Sequence, residues 1–80
     1  MLPLKENKDL ILNHFNNIDK WSHESIEKQI KETIYSLSIG FKNFAQPIRC
    51  LILGQVNGPS ITDLIFIVGK QNFLKMIKSL

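Results

Sequence analysis

The sequence predicts an all-α fold, a small bundle of about five short helices. Apolar side chains recur at helical spacing in several stretches, and no stretch alternates apolar and polar residues as a half-buried strand does. The composition, 44% hydrophobic and 21% charged, is that of an ordinary globular domain. Eighty residues suffice for one domain, and a domain of this size buries only about 60% of its unfolded surface. A full core therefore leaves little room for an enclosed substrate pocket.

Residues 1–17 are expected to form a lead-in and a first helix. The sequence leaves undecided whether this segment belongs to a preceding helical subdomain. Asn7 can cap the helix, which runs to about Phe15, because an asparagine side chain can accept a hydrogen bond from a first-turn N–H group. Residues 18–80 then form the main helical domain. Trp21 is expected to pack where the chain enters the second helix.

The second helix has the clearest apolar pattern. Ile26, Ile30 and Ile34 recur every four residues, which places them on one face, and charged residues occupy the other side. Ser22 is expected to cap the start of this helix. Gly40 is expected to end it, because glycine readily adopts the left-handed conformation found at helix C-termini.

A third helix is expected to begin near Pro47, since proline suits the first helical turn, where a backbone N–H is not needed. Residues 41–44 would then form a loop before it, and Gly54 would end it. Arg49, the only arginine beside nine lysines, lies toward the edge of this apolar helix. A guanidinium there needs either a partner within the protein, for which Asp63 is the candidate, or an acceptor outside it.

Two further helices complete the predicted bundle. Ser60 can cap a fourth helix, residues 61–68, which is apolar on most sides and is therefore expected in the middle of the bundle. Gly69 separates it from a fifth helix that runs to the end of the sequence. The apolar face of this last helix is expected to pack, and its lysines, Lys70 among them, to face water.

No catalytic or metal-binding set can be assembled from the sequence, so we predict neither catalytic residues nor a metal site. His14 and His23 have no cysteine or carboxylate nearby at ligand spacing. Cys50 is the single cysteine, which excludes an internal disulfide and favours a reducing compartment. Its apolar surroundings predict an unreactive thiol.

The net charge of +3 conceals an asymmetry between the two parts of the chain. Residues 1–33 carry five lysines and six acidic residues, a balance of −1, whereas residues 34–80 carry four lysines and Arg49 against Asp63, a balance of +4. An anionic partner would therefore be met by the second part. No apolar run approaches the ~18 residues that a membrane span needs, so we expect no membrane association.

These motifs, taken in order, resemble the C-terminal anticodon-binding domain of bacterial-type glutamyl-tRNA synthetase, a class I aminoacyl-tRNA synthetase. The resemblance covers roughly residues 18–80. It lies in Trp21 and the helix after it, Gln-Pro-Ile-Arg at 46–49 followed by Gly54, Gly-Pro-Ser-Ile at 58–61, and Gly-Lys at 69–70. One of these pieces alone would be weak, whereas the ordered set is fairly specific. The chain departs from the family pattern at Leu53, Gly58 and Met76.

The resemblance implies the all-helical anticodon-binding fold and a function. The parent chain would attach glutamate to tRNA-Glu with ATP and Mg as cofactors, whereas this fragment would be non-catalytic and need no cofactor. The fragment would bind the anticodon loop of tRNA-Glu, with tRNA-Gln left open, in a cytoplasmic enzyme that we expect to be a monomer without a DNA partner.

By position in the family pattern, the tRNA-binding residues are Arg49, Gly58, Pro59 and Ile61. Anticodon bases are unstacked and can be splayed onto a protein surface. An arginine can stack on such a base or hydrogen-bond its edge, while Pro59 and Ile61 would offer apolar surface. The resemblance therefore predicts that these residues form one contiguous, solvent-facing surface.

Two other interpretations stay open at the level of sequence. The fourth and fifth helices could form a DNA-binding helix-turn-helix, although the second of them offers only Gln71 and Asn72 for contacts with base edges. Alternatively, the chain could be a helical protein–protein interaction module. Joint exposure of Trp21, Phe41 and Phe44 would support that interpretation, and burial of all three would weaken it.

Overall fold

A computed structural model describes residues 3–80, and the regular structure within that range is helical throughout. A short 3₁₀ helix at Leu4–Asn7 precedes five α-helices: α1 (Lys8–Asn16), α2 (His23–Leu37), α3 (Phe41–Leu53), α4 (Ile61–Val68) and α5 (Lys70–Lys78). Helix α1 packs on α5 and α2, while α4 contacts α2, α3 and α5. The predicted all-α bundle of five short helices is confirmed.

Every α-helix contributes apolar side chains to one core. Three phenylalanines lie at its centre, and the ring of Phe15 on α1 is 5.0 Å from that of Phe73 and 6.5 Å from that of Phe44, measured between centroids. Offset and edge-on aromatic pairs at these distances add to the stability gained by burying their area. Helix α1 therefore belongs to the same core as the later helices.

The division of the chain at residue 17 stays a prediction. A shared core shows how α1 packs, and it does not show where a preceding helical subdomain would end. Met1 and Leu2, which belong to the predicted lead-in of residues 1–17, lie outside the described residues.

The helix termini at Ser22, Gly54 and Ser60 follow the sequence prediction. The Ser22 hydroxyl accepts a hydrogen bond from the N–H of Ser25 at 3.2 Å, and the Ser60 hydroxyl accepts one from the N–H of Asp63 at 3.4 Å. Each bond satisfies one of the N–H groups that a first helical turn leaves unpaired. Gly54 has a positive φ of 76°, and its N–H donates to the carbonyl of Cys50 at 2.9 Å.

The end of α2 differs from the prediction, which placed it at Gly40. The helix ends at Leu37, and Ser38 takes the left-handed conformation with φ 55°. Ser38 is held there because its N–H donates to the carbonyl of Tyr35, while the next N–H, that of Ile39, donates to the carbonyl of Ile34, both at 3.1 Å. These bonds close the helix end in the manner usually built around glycine. Gly40 is extended instead and immediately precedes α3.

The start of α3 was also predicted wrongly. Residues 41–44 form the first turn of the helix rather than a loop, so Pro47 is a buried interior residue. A proline there leaves the carbonyl of Asn43 without its helical donor and costs about 3 kcal/mol in an ordinary helix interior. The helix continues through Pro47 because Phe44 and Ile48, on either side of it, are both fully buried in the core, and that burial offsets the cost.

The positions of three sets of side chains, on α4, on α5 and before α2, add detail to the prediction. Helix α4, which was expected in the middle of the bundle, is buried on one side only, since Ile67 is 76% exposed and Phe66 is also exposed. Lys70 does not simply face water, because its Nζ donates to the carbonyl of Ile18 at 2.7 Å. Trp21 is half-buried, and its indole N–H donates to the carbonyl of Ile65 at 3.3 Å. The connection between α1 and α2 is thereby fastened to α4 and α5.

Candidate nucleic-acid interface

The predicted site is organised by one hydrogen bond between α3 and the connection that follows it. The Nε of Arg49 donates to the carbonyl oxygen of Pro59 at 3.1 Å, on the solvent-exposed side of the molecule. Gly54 allows the chain to leave α3 in a left-handed conformation and to return alongside it. The bond uses one of the five N–H donors of the guanidinium. The residue is half-buried, and this bond leaves the N–H donors of its two Nη atoms unused.

The predicted intramolecular alternative, an Arg49–Asp63 pair, is wrong. Asp63 contacts α2 instead, with its Oδ1 2.9 Å from the Nε2 of His23. The imidazole of His23 in turn stacks on the ring of Phe66, with centroids 4.3 Å apart. This cluster joins the start of α2 to α4 and leaves the positive charge of Arg49 free of that carboxylate.

Gly58 and Pro59 form an exposed turn next to Arg49. Leu53 lies over Gly58 so closely that a Cβ at position 58 would be 2.7 Å from its Cδ1. Leu53 is itself exposed, so the obstructing atom is the end of a side chain that can move. Glycine here permits close contact between the turn and the end of α3, next to the guanidinium.

Ile61 does not lie on this surface, which corrects the prediction of a solvent-facing side chain at that position. Its side chain is 1% exposed and belongs to the core. The reason is the direction of α4, whose first residue must point inward if Leu64 and Ile65 are also to be buried. The structure therefore brings Arg49, Gly58 and Pro59 together at the surface, and Ile61 anchors the start of α4 beneath them.

The start of α4 adds backbone N–H groups to the same region. The first N–H groups of a helix have no helical acceptor, and the N-terminal end carries a partial positive charge. Ser60 satisfies one of these groups, that of Asp63. Beside the turn, the helix start and Arg49 thus present donors to an anionic or polar ligand.

The structure also contains an apolar pocket that the sequence pattern does not predict. It lies between α2, α3 and α4 and has a volume of about 260 Å³. Its lining consists of Glu27, Ile30, Lys31, Ile34, Phe41 and Thr62. A loop at residues 41–44, as the sequence predicts, would form no such pocket, whereas Phe41 lies on the first turn of α3. Reading the helix start at Gly40 would have placed Phe41 beside the apolar face of α2.

Neither a metal cluster nor a membrane span occurs in the part of the chain that the structure describes. No group of three or more histidine, cysteine, aspartate or glutamate residues there could hold a metal ion. His14 lies 3.3 Å from the side-chain oxygen of Gln29 through its Nδ1, and His23 contacts the single carboxylate of Asp63. Over residues 3–80, no helix is both long enough and apolar enough to cross a bilayer.

The sequence of this helical domain matches a known domain family. The chain matches the family model described as the anticodon binding domain (Anticodon_2) over residues 5–80. Because this match spans nearly the whole chain, the protein belongs to the anticodon binding domain family.

Its relatives include three proteins named glutamate–tRNA ligase. That of Buchnera aphidicola subsp. Cinara cedri (strain Cc) is 42% identical over 65 residues, which are 81% of this chain and 14% of that protein. That of Mycoplasma mycoides subsp. mycoides SC is 32% identical over 72 residues, 90% of this chain and 15% of the relative. Glutamate–tRNA ligase 2 of Rickettsia felis is 32% identical over 74 residues, which are 89% of this chain and 16% of that protein. The chain thus spans about a sixth of the length of the relatives it matches.

The two alternative interpretations of the sequence are not supported. The family match covers α4 and α5 as parts of an anticodon binding domain, which gives the helix-turn-helix hypothesis no support. Joint exposure of three aromatic residues would have supported a protein–protein module. Phe41 is exposed, but Phe44 is fully buried and Trp21 is half-buried, so that support is lacking.

Proposed function

We propose that this domain binds the anticodon loop of a tRNA and is itself non-catalytic. The observation that carries the proposal is the exposed hydrogen bond between Arg49 and the carbonyl of Pro59, in a chain that belongs to the anticodon binding domain family. That bond fixes the guanidinium on the turn, where it can meet an unstacked base. The tRNA-binding residues proposed are Arg49, Gly58 and Pro59, with Ile61 supporting them from the core.

The chemistry of the surface fits a single-stranded RNA loop. A fixed guanidinium can stack on a base face or donate two hydrogen bonds to a base edge, and a proline ring adds a rigid apolar surface against which a base can lie. Backbone N–H groups at the start of α4 suit phosphate oxygens. Residues 34–80 carry the excess of positive charge, which favours approach of an anionic RNA.

The parent protein that we propose is a glutamate–tRNA ligase. Three relatives carry that name, and this chain covers only a small part of each. In that parent, ATP and Mg would serve the ligation of glutamate to tRNA-Glu in a catalytic part outside this chain. We propose a cytoplasmic, monomeric enzyme; charging of tRNA-Gln as well is a question for a direct charging assay.

The binding test uses the domain and a stem-loop RNA with the anticodon arm of tRNA-Glu, labelled for fluorescence anisotropy in low salt. A matched RNA with a scrambled anticodon serves as the control. We expect tighter binding of the natural arm and a loss of that preference in Arg49→Ala. Equal binding of both RNAs by the unchanged protein would contradict the proposal.

A charge-matched protein variant separates site contact from general attraction. Lys78→Ala, on the last turn of α5, removes one positive charge as Arg49→Ala does. We expect Lys78→Ala to retain the preference for the natural anticodon. If both variants lose binding equally, only the net charge matters, and the role assigned to Arg49 is wrong.

A further inference from the structure

We propose that the apolar pocket between α2, α3 and α4 is a second base-binding subsite, in which one unstacked nucleobase of the bound RNA lies against the ring of Phe41. This inference rests on the proposed function and extends it to a residue that the family motifs do not include. The side chain assigned is Phe41, and Ile34 and Thr62 are among the other residues that line the pocket.

The size and lining of the pocket suit one flat ring. Its volume is about 260 Å³, whereas pockets that enclose a whole drug-sized or cofactor molecule run from about 300 to 1,000 Å³. Two isoleucines and a phenylalanine supply most of the walls. A base is a planar aromatic group that gains about 1–3 kcal/mol when it stacks on an aromatic side chain.

Phe41 is an aromatic side chain that the core does not require. It is 44% exposed, whereas Phe44, one turn further along α3, is fully buried and stacks on Phe15. The exposed ring of Phe41 stands at the pocket rather than on an open surface. A half-exposed aromatic beside a cleft is available for a ligand in a way that a core phenylalanine is not.

The first turn of α4 links the pocket to the Arg49–Pro59 surface along the chain. Thr62 lines the pocket and follows Pro59 by only three residues, while the carbonyl of Pro59 accepts the hydrogen bond of Arg49. Phe41 and Arg49 lie on the same helix, eight residues or about 12 Å apart along its axis. A single-stranded loop that follows the first turn of α4 would therefore meet both places.

The charges at the mouth of the pocket favour a base over an apolar side chain of a protein partner. The Nζ of Lys31 lies 3.3 Å from the Oε1 of Glu27, and both side chains are solvent-exposed. An ammonium group donates and a carboxylate accepts, which together match the donors and acceptors along a base edge. A base edge can bond to the ammonium donors and the carboxylate oxygen that the Lys31–Glu27 pair leaves over, whereas an apolar protein side chain cannot.

The test is a fluorescence titration with an anticodon-arm RNA in which 2-aminopurine replaces one loop base at a time. Stacking on an aromatic ring quenches this base analogue. We expect one loop position to be quenched on binding, and Phe41→Ala to abolish that quenching and weaken binding roughly 5- to 100-fold. Phe41→Tyr, which keeps the ring, should restore both signals.

Two further variants serve as control and cross-check. Tyr35→Ala removes an aromatic that is 86% exposed and outside this pocket, and it should leave binding and quenching unchanged. Thr62→Met should narrow the pocket without adding an aromatic ring or removing Phe41, and it should also abolish the quenching. Circular dichroism of each variant establishes that the helices are intact.

The outcomes separate this inference from the proposed function. Absence of RNA binding by the unchanged protein would overturn both. Binding that Arg49→Ala weakens but Phe41→Ala does not would overturn the second subsite alone and leave the pocket to a protein partner. Weakened binding in Phe41→Ala with the quenching intact would also overturn it, since Phe41 would then act without touching a base.

Discussion

Replacing Arg49 by lysine separates the shape of its side chain from its charge. Lysine keeps the positive charge but is a point charge on a flexible stem, and it cannot present a planar set of donors. The Nε that donates to Pro59 at 3.1 Å would be lost. A bidentate contact with a base contributes about 1–3 kcal/mol of discrimination, so we expect Arg49→Lys to bind the natural anticodon arm roughly 5- to 100-fold more weakly.

Salt dependence provides the second measurement on the same variant. Each phosphate contact with single-stranded nucleic acid contributes a slope of about −0.7 to log K against log salt. Because lysine keeps the charge, we expect the slope for Arg49→Lys to equal that of the unchanged protein while the affinity falls. Anisotropy titrations at several salt concentrations give both values.

The control and the contradicting result are equally specific. The reverse exchange, Lys78→Arg on α5, should leave affinity and slope unchanged. The lost hydrogen bond of Arg49 is exposed and contributes about 0.5–1.5 kcal/mol to folding, so Arg49→Lys should remain folded in thermal melts. If Arg49→Lys binds as tightly as the unchanged protein, a point charge is sufficient, and the fixed planar guanidinium has no role.

Three stability changes follow from the fold and can be measured by chemical denaturation. Phe15→Ala removes a fully buried ring, so it should cost about 3–5 kcal/mol, enough to unfold much of a domain of this size. Gly54→Ala places a Cβ at φ 76° and should cost about 1–2 kcal/mol. Ser38→Gly removes the Cβ strain at φ 55° and should stabilise by about 1 kcal/mol; a Ser38→Gly protein that is less stable than the unchanged one would contradict the assignment of strain.

The helices themselves were predictable because local signals determined most of their bounds. Ser22, Ser60, Gly54 and Gly69 mark ends that depend on one side chain or one backbone conformation, and the structure places helix ends at all four. The spacing of isoleucines on α2 likewise identified its buried face, since apolar residues four positions apart lie on one side of a helix.

The errors arose where tertiary packing overrode a local preference. Proline favours a helix start, yet α3 begins six residues before Pro47 because the apolar residues around it have a core to fill. Glycine favours a left-handed helix end, yet Ser38 takes that conformation and Gly40 does not. The glycine preference, about 1 kcal/mol, is smaller than the free energy of burying one large apolar side chain. The larger cost of proline in a helix, about 3 kcal/mol, is offset by the burial of two, Phe44 and Ile48.

The surface residues of the candidate site were predictable from the sequence, whereas the burial of Ile61 and the pocket at Phe41 were not. The motif placed Arg49 next to the turn at Gly58 and Pro59, and the observed hydrogen bond joins that arginine to that proline. It could not show that Ile61 points into the core, because α4 is apolar on several faces and the sequence does not fix its rotation. The pocket at Phe41 forms where three helices meet, and the local sequence pattern of one helix cannot predict such a meeting.

The most direct test of the central claim is a map of the amide shifts that RNA binding causes. The ¹⁵N-labelled domain would be titrated with the anticodon arm of tRNA-Glu and, separately, with the scrambled arm, and amide chemical shifts followed by NMR. We predict that the natural arm shifts the amides of Arg49, residues 54–58 and residues 60–62, and that the scrambled arm shifts them less. Shifts confined to α1 and α5, or identical shifts with both RNAs, would contradict anticodon recognition by this surface.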